Sequence, residues 1–366
     1  MTPSTHEMLS ISYCTVSMNR IEQVKVTLPL NIKENERFSN LKFLLLDYNS
    51  SDGLEEWVRE NLEEHILSGK LTYYKYHDAP FFNASHSRNM LFRLSKNDII
   101  CNVDADNIVY GEFTEHIMAQ YRRNPEVLIV TDLSKEKYDM RDAVGRFCCR
   151  RNDFIQVGGY DESIVGYGFE DVDLYKRISR LGREKCVIDN AGLLAVLNHS
   201  DEERVVNDWL VQKHHAIFIG SKEGGLELLI LTDDRRYIRG TAITGRYEKE
   251  NFQFGYDEGP CGEWEHNADG TFTLRPTGGE TLQLQVIDEK ENYLLSGQGE
   301  QLYLMRLTET EGVNKAVMLY RMSVNQEIYQ KNIANNHLTA NSKGFGFGLV
   351  YQNFDTQTPI DLSQFS

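Results

Sequence analysis

The sequence predicts an α/β domain with a mainly parallel sheet flanked by helices, followed by a β-rich barrel or sandwich. Three observations predict it. As far as residue 220, short apolar runs alternate with segments of helical spacing, the pattern of a sheet covered by helices. Beyond that point the runs are short, alternate internally and are separated by turn signals. The length of 366 residues exceeds one ordinary core, so two domains are expected, residues 1–220 and 226–366, with Gly220-Ser221-Lys222-Glu223-Gly224-Gly225 as the linker.

Element by element, Ile11 to Val16 reads as a strand, and Ile21, Val24 and Leu28 mark the helix after it. Phe43 to Leu46 is a buried strand ending at Asp47. Asp52-Gly53-Leu54-Glu55 resembles a capping box, and Leu54, Trp57, Val58, Leu62 and Ile66 line one face of the helix it would open. Strands are expected at Leu71–Tyr76, Ile99–Val103 and Val127–Val130, with a helix at Ser87–Leu94. In the second part, strands are expected near Leu226–Leu231, Gly262–Glu265, Thr271–Leu274, Thr281–Val286 and Leu302–Leu307. Asp269-Gly270 and Gly278-Gly279 supply turns, and no long helix is expected there.

Lys and Arg number 39 against 55 Asp and Glu, a net charge of −16, with −8 on each side of residue 220. So acidic a chain repels phosphate backbones, which excludes nucleic acid as a partner. It suits a divalent cation if carboxylates converge. The first residues lack the basic and apolar regions of a signal peptide, and no stretch approaches about 18 apolar residues, so neither a leader nor a membrane span is expected. Six cysteines without a CxxC read as reduced thiols of a cytosolic protein.

Two carboxylate clusters stand out. Asp104 and Asp106 follow directly on a buried strand, where alternate residues share a face. Together they can hold a hard divalent ion, or divide the ion and a ligand hydroxyl between them. Glu170, Asp171 and Asp173 crowd the start of a helix whose dipole favours negative charge. Gly166-Tyr167-Gly168 precedes them, with glycines that permit tight folding around a ligand and an aromatic face for a sugar ring.

With these motifs the chain resembles nucleotide-sugar glycosyltransferases of the GT-A fold. It is similar to the family-two branch that includes bacterial capsule polymerases, and to β-1,4-galactosyltransferases and polypeptide N-acetylgalactosaminyltransferases. The resemblance rests on segments in the family's order: Cys14 to Arg20, Leu46 to Asp52, Phe82 to Asn89, the Asp104-Ala105-Asp106 triplet, and Gly158-Gly159-Tyr160-Asp161-Glu162 with Gly166 to Asp171. It implies nucleotide contacts from Thr15, Asn19, Arg20, Asp47, Asn49, Arg88 and Asp104. It implies a Mn²⁺ or Mg²⁺ ion on Asp106, with Asp104 sharing it and His199 completing the site. Asp171 is implied as catalytic base, with Glu170, Tyr167 and Gly168 on the acceptor. The family often has Trp where Tyr167 stands, which leaves the acceptor sugar open.

The implied activity is inverting transfer from a UDP-sugar to a glycan or lipid-linked glycan, in surface polysaccharide or glycoconjugate synthesis, in the cytoplasm or peripherally at the inner membrane. Two other readings stand beside it: a carbohydrate-binding scaffold on a glycosyltransferase frame, and a nucleotide-sugar hydrolase. Donor sugar, linkage, oligomeric state and the role of residues 226–366 stay open.

Overall fold

The computed structural model describes residues 9–131, 145–197, 201–244, 254–288 and 290–364. The chain forms two compact units. One comprises Met1–Ile164, Glu170–His199 and Ala334–Ser366, the other Val165–Phe169 and Ser200–Ile333.

The first unit opens with β1 (Ile11–Ser17), α1 (Ile21–Glu34), β2 (Leu41–Tyr48), α2 (Leu54–Asn61), α3 (Glu63–Leu67), β3 (Leu71–Tyr76), α4 (Ala84–Leu94) and β4 (Ile99–Asn102). Then come β5 (Asn107–Ile108), α5 (Gly111–Arg123), β6 (Leu128–Thr131), β7 (Phe147–Arg150), α6 (Arg151–Gln156), α7 (Glu170–Ser179), β8 (Lys185–Ile188) and β9 (Ala195–Val196). β1 pairs in parallel with β2 and β4, and β2 with β3. These central strands are buried almost throughout because helices cover both faces. Ile11, Tyr13, Phe43, Leu45 and Cys101 pack on one side, and Cys14, Val16, Leu44, Leu46 and Ile100 on the other. Four of the six cysteines are buried, and all six are free thiols.

Asp52 does not cap the helix it precedes. The residue before α2 is Gly53, at φ 85°, and no side chain caps that helix. The Asp52 carboxylate instead accepts the first amide of α1, from Ile21, at 2.8 Å. The left-handed turn at Gly53 carries Asp52 away from its own helix and toward the positive end of another.

The second unit runs α8 (Asp201–Val205), α9 (Trp209–Lys213), β10 (His214–Lys222), β11 (Gly225–Thr232), β12 (Arg236–Thr244), β13 (Phe254–Glu258), β14 (Gly262–His266), β15 (Phe272–Pro276), β16 (Leu282–Val286), β17 (Asn292–Gly297), β18 (Glu300–Leu307) and α10 (Thr310–Ala334). Antiparallel pairing proceeds β11-β10-β18-β17-β16-β15-β14-β12 and closes from β12 back to β11, with β13 added on β12. The expected barrel is therefore present, closed through the β11–β12 pairing. Phe218, Leu229, Leu231, Trp264, Leu274, Leu284 and Leu295 fill one face of its strands. The residues between them, such as Ile217, Leu228 and Ile230, meet Val313, Ala316 and Val317 of α10.

Three further expectations are corrected. Residues 220–225 are not a linker: β10 begins at His214, and its hairpin to β11 turns at Gly224, φ 87°. Glycines mark a tight turn as readily as a linker. The second part does contain a long helix, α10, with 25 residues. Its apolar Val313, Ala316, Val317 and Tyr320 follow helical spacing, but polar residues crowd the rest and blur the pattern. Finally, residues 226–366 are not one domain. The chain returns as β19 (Leu349–Gln352) and β20 (Ile360–Asp361), which extend the first sheet beyond β3. That sheet is ordered β20-β19-β3-β2-β1-β4-β7-β6-β8. Among the described residues no helix is long and apolar enough to cross a membrane.

Candidate active site

Loops that leave the carboxyl ends of neighbouring parallel strands meet, and β2, β1 and β4 are such neighbours. After β1, Asn19 is exposed at φ 54°; its side-chain oxygen accepts the Ser51 amide at 2.8 Å, and its own N–H donates to Ser50 Oγ at 3.1 Å. Asn49, at φ 61°, donates to the Ala79 carbonyl at 2.7 Å. Asparagine is among the side chains that best tolerate this left-handed backbone. Arg20, half-buried, stands at the start of α1.

Two residues expected at the nucleotide are turned inward. Asp47 is fully buried. Its Oδ2 accepts from Tyr73 Oη at 2.9 Å and Lys75 Nζ at 2.8 Å, and its Oδ1 from the Ser50 amide at 2.7 Å. It braces the loop above it, and burial together with the Asp47 charge pushes the Tyr73 hydroxyl far up from its ordinary pKa. Thr15, also buried, donates to the Val103 carbonyl at 2.8 Å and ties β1 to the approach to Asp104.

The centre of the site is Arg88. Asn83 caps α4 by accepting the His86 amide, and most of the helix is buried. From its second turn the Arg88 guanidinium reaches three carboxylates: Asp104 Oδ1 at 2.9 Å, Glu170 Oε1 at 3.3 Å and Asp171 Oδ1 at 3.4 Å. The two carboxylate clusters are thus one cluster, joined by a buried cation expected to face a diphosphate. Tyr160 lies under the guanidinium, its ring centroid 5.5 Å away, and donates its hydroxyl to Asp171 Oδ1 at 2.9 Å.

One cation among three carboxylates leaves negative charge unbalanced, and the two aspartates respond in opposite ways. Burial pushes Asp104 up, but Arg88 and the Asn102 amide, which donates to it at 2.9 Å, outweigh burial and hold its carboxyl below the ordinary value. Burial also pushes Asp171 up; Arg88 and the Tyr160 hydroxyl oppose this, while Glu170 and Asp104 add to it. The result is a rise from 3.8 to about 7. Such divergence between neighbouring carboxyls is the arrangement that separates a permanently charged group from one able to exchange a proton near neutrality.

Gly145 keeps the space over these groups open. A Cβ there would lie 2.7 Å from Asp104 Oδ2 and 3.3 Å from Asp171 Oδ2. Its carbonyl accepts from Asn102 Nδ2 at 3.0 Å. Glu170 Oε2 and Arg88 Nε are buried without a hydrogen-bond partner among the described residues.

Asp106 sits one step away. Its Oδ1 accepts from Asn107 Nδ2 at 2.7 Å, and its carbonyl accepts the Leu197 amide at 2.7 Å. The second contact continues the β5–β9 ribbon. Fully buried Arg146 holds that ribbon by donating to Asn107 Oδ1 at 2.8 and 3.0 Å and to the Leu193 and Ala195 carbonyls. His199 lies outside the described residues. Among those described, no group of three or more His, Cys, Asp or Glu is arranged to hold a metal ion. Tyr167 and Gly168 belong to the second unit, where Arg204 sits 5.7 Å from the Tyr167 ring centroid.

Sequence reading passed over Asn102, Gly145, Arg146 and Tyr160. Tyr160 lies inside a motif singled out, but nothing in the linear pattern shows that its hydroxyl meets Asp171.

Residues 13–148 match the family described as glycosyl transferase family 2, and residues 126–199 the one described as N-terminal domain of galactosyltransferase. The first unit thus resembles the glycosyltransferase domains that these two family models describe. Within that class it is similar to galactosyltransferases. Chondroitin sulfate synthase 3 of Mus musculus is 31% identical over 128 residues, 32% of this chain and 14% of the relative, so the chain spans a small part of that relative's length. Among solved structures, GalNAc-T7 with UDP, GalNAc and Mn²⁺ shares 12% identity at a TM-score of 0.44, over 84% of this chain and 81% of the other. The mannosyltransferase PcManGT of Pyrobaculum calidifontis, with GDP-Man and Mn²⁺, shares 16% at 0.44, over 55% and 63%. The catalytic domain of Drosophila β1,4-galactosyltransferase 7, with xylobiose, shares 16% at 0.38, over 54% and 73%.

Proposed function

We propose that this chain transfers a hexose or N-acetylhexosamine from a UDP-sugar to a glycan hydroxyl, with inversion and with Asp171 as the base. The carrying observation is the Asp171 carboxyl, brought to about 7 while Tyr160 and Arg88 engage its Oδ1. Oδ2 lies toward the open side at Gly145 and takes the proton of the acceptor hydroxyl. The new bond forms between that oxygen and C1 of the sugar as the bond from C1 to the diphosphate breaks, and UDP departs with the electron pair. Asp104, held charged by Arg88, keeps this side of the site negative. One base opposite the leaving group inverts the configuration.

Asp104 and Asp106 would hold a divalent cation, Mn²⁺ or Mg²⁺, with His199 as a further ligand. Carboxylate oxygens are the hard donors such ions take, and Asp104 Oδ2 faces the space that a side chain on Gly145 would fill. When bound, the ion neutralises the charge that grows on the departing diphosphate. We assign Asn19, Arg20 and Asn49, on the loops after β1 and β2, to the nucleoside. The similarity to a chondroitin sulfate synthase favours a chondroitin-type acceptor. We place the reaction in the cytoplasm, at the inner membrane face when the acceptor is lipid-linked.

The test is a panel of UDP-, GDP- and dTDP-sugars with Mn²⁺, scored by nucleotide release with and without chondroitin oligosaccharides and xylobiose. UDP with Mn²⁺ should raise the melting temperature by binding the folded state. Asp106→Ala should abolish that rise and Asp171→Asn should retain it, while both abolish transfer. The absence of stabilisation by any nucleotide diphosphate with metal would overturn the reading.

A further inference from the structure

The second unit has no activity of its own in the reading above, yet it holds a segment expected at the acceptor. Val165–Phe169 packs within this unit, against α10. The side-chain amide of Asn325, buried on α10, donates to three carbonyls of the segment: Val165 at 3.1 Å, Tyr167 at 3.2 Å and Gly168 at 3.0 Å. One amide group thereby fixes nearly the whole curve of the loop. Phe169, at φ 71°, is in a backbone region costly for a side chain of its size, and its ring meets Tyr329 with centroids 5.8 Å apart. The two glycines are pressed from the same direction. A Cβ on Gly166, φ 77°, would lie 2.6 Å from Asp208 Oδ2 and 2.8 Å from Arg321 Cδ; one on Gly168, φ 98°, would lie 3.2 Å from Met322 Cγ. Arg321 is itself fixed by two 2.9 Å bonds to Asp208. Arg321, Met322, Asn325 and Tyr329 recur at helical spacing and form one face of α10. The glycines are thus demanded by this packing, and a loop folded around a ligand is not needed to explain them.

We propose that α10 is the element that sets the conformation of the acceptor loop Val165–Phe169, with Asn325 as its positioning residue. This rests on the reading of Tyr167 and Gly168 as acceptor contacts. Asn325 touches no substrate and acts through the three carbonyls it binds. Loss of its N–H groups frees the loop and raises the cost of ordering it around an acceptor, while donor binding in the first unit is unaffected.

The experiment compares the full native chain with Asn325→Asp, which keeps the size and removes both donors, and with Asn325→Ala. Hydrogen exchange should accelerate in peptides spanning residues 163–170 and stay unchanged at residues 99–108. The KM for a chondroitin hexasaccharide should rise on the order of tenfold, while the thermal shift given by UDP with Mn²⁺ is preserved. A preserved shift also shows that the variants fold. Exchange at residues 163–170 identical to native would overturn the positioning role. Accelerated exchange with an unchanged acceptor KM would overturn the link to acceptor seating. A native chain that releases no UDP to any acceptor would instead sink the transferase reading, and the exchange result would still decide what Asn325 does.

Discussion

Asp171→Asn tests the electrostatics of the site through stability alone, without any substrate. The folded protein holds this carboxyl at about 7, against an ordinary value of 3.8. Burial is the main cause. Arg88 and the Tyr160 hydroxyl work against it, and Glu170 and Asp104 reinforce it. Because the folded-state value is raised, the folded chain binds more protons than the unfolded one between pH 4 and 7. Stability is therefore fully present below the unfolded value and is lost as pH rises through about 7. Integrated from about pH 5 to about pH 8, this single group removes about 2–3 kcal/mol. Asparagine has the same shape and does not titrate. Urea unfolding of both proteins across that range should show the native chain losing about 2–3 kcal/mol more than Asp171→Asn. Parallel curves would refute the raised pKa and with it the argument for a base poised near neutrality. The same property makes kcat/KM of the native chain rise with pH through about 7 and then level off, since the base must be ionised to accept a proton.

Tyr160→Phe removes the hydroxyl that holds Asp171 Oδ1. Its hydrogen bond lowers the Asp171 pKa, so the acid limb of the pH–rate profile should move upward and kcat at neutral pH should fall by roughly tenfold. A profile that does not move would contradict the assignment. Gly145→Ala places a methyl against the carboxylates of Asp104 and Asp171. It should cost about 1–3 kcal/mol in urea unfolding, as overpacking does, and should sharply weaken stabilisation by UDP with Mn²⁺. Retention of full UDP–Mn²⁺ binding would show that the space over Gly145 is not used.

Much of the architecture was legible in the linear pattern. Central strands such as Leu41–Tyr48 and Leu71–Tyr76 carry apolar residues toward both faces because both are covered, and barrel strands such as Leu282–Val286 alternate because only one face meets the core. These are local properties of the chain. The departures arose where one local signal fits two structures: glycines at 224 and 225 that turn a hairpin, and Asp52, which caps a helix other than its own.

Local pattern is enough to show that carboxylates follow a buried strand at Asp104 and open a helix at Glu170, and that the chain is of α/β and then β-rich character. Tertiary structure alone decided that Arg88 joins the two carboxylate groups, that Asp47 faces inward to Tyr73 and Lys75, and that the last strands return to the first sheet. It alone decided that Asn325 holds a loop 157 to 160 residues away in the chain. Helix and strand periodicity is set by neighbours a few positions apart, so it is written in short windows of sequence. Charge pairing and desolvation depend on distance in space, and they set the pKa of Asp171 only after residues 88, 104, 160 and 170 have been brought to one place.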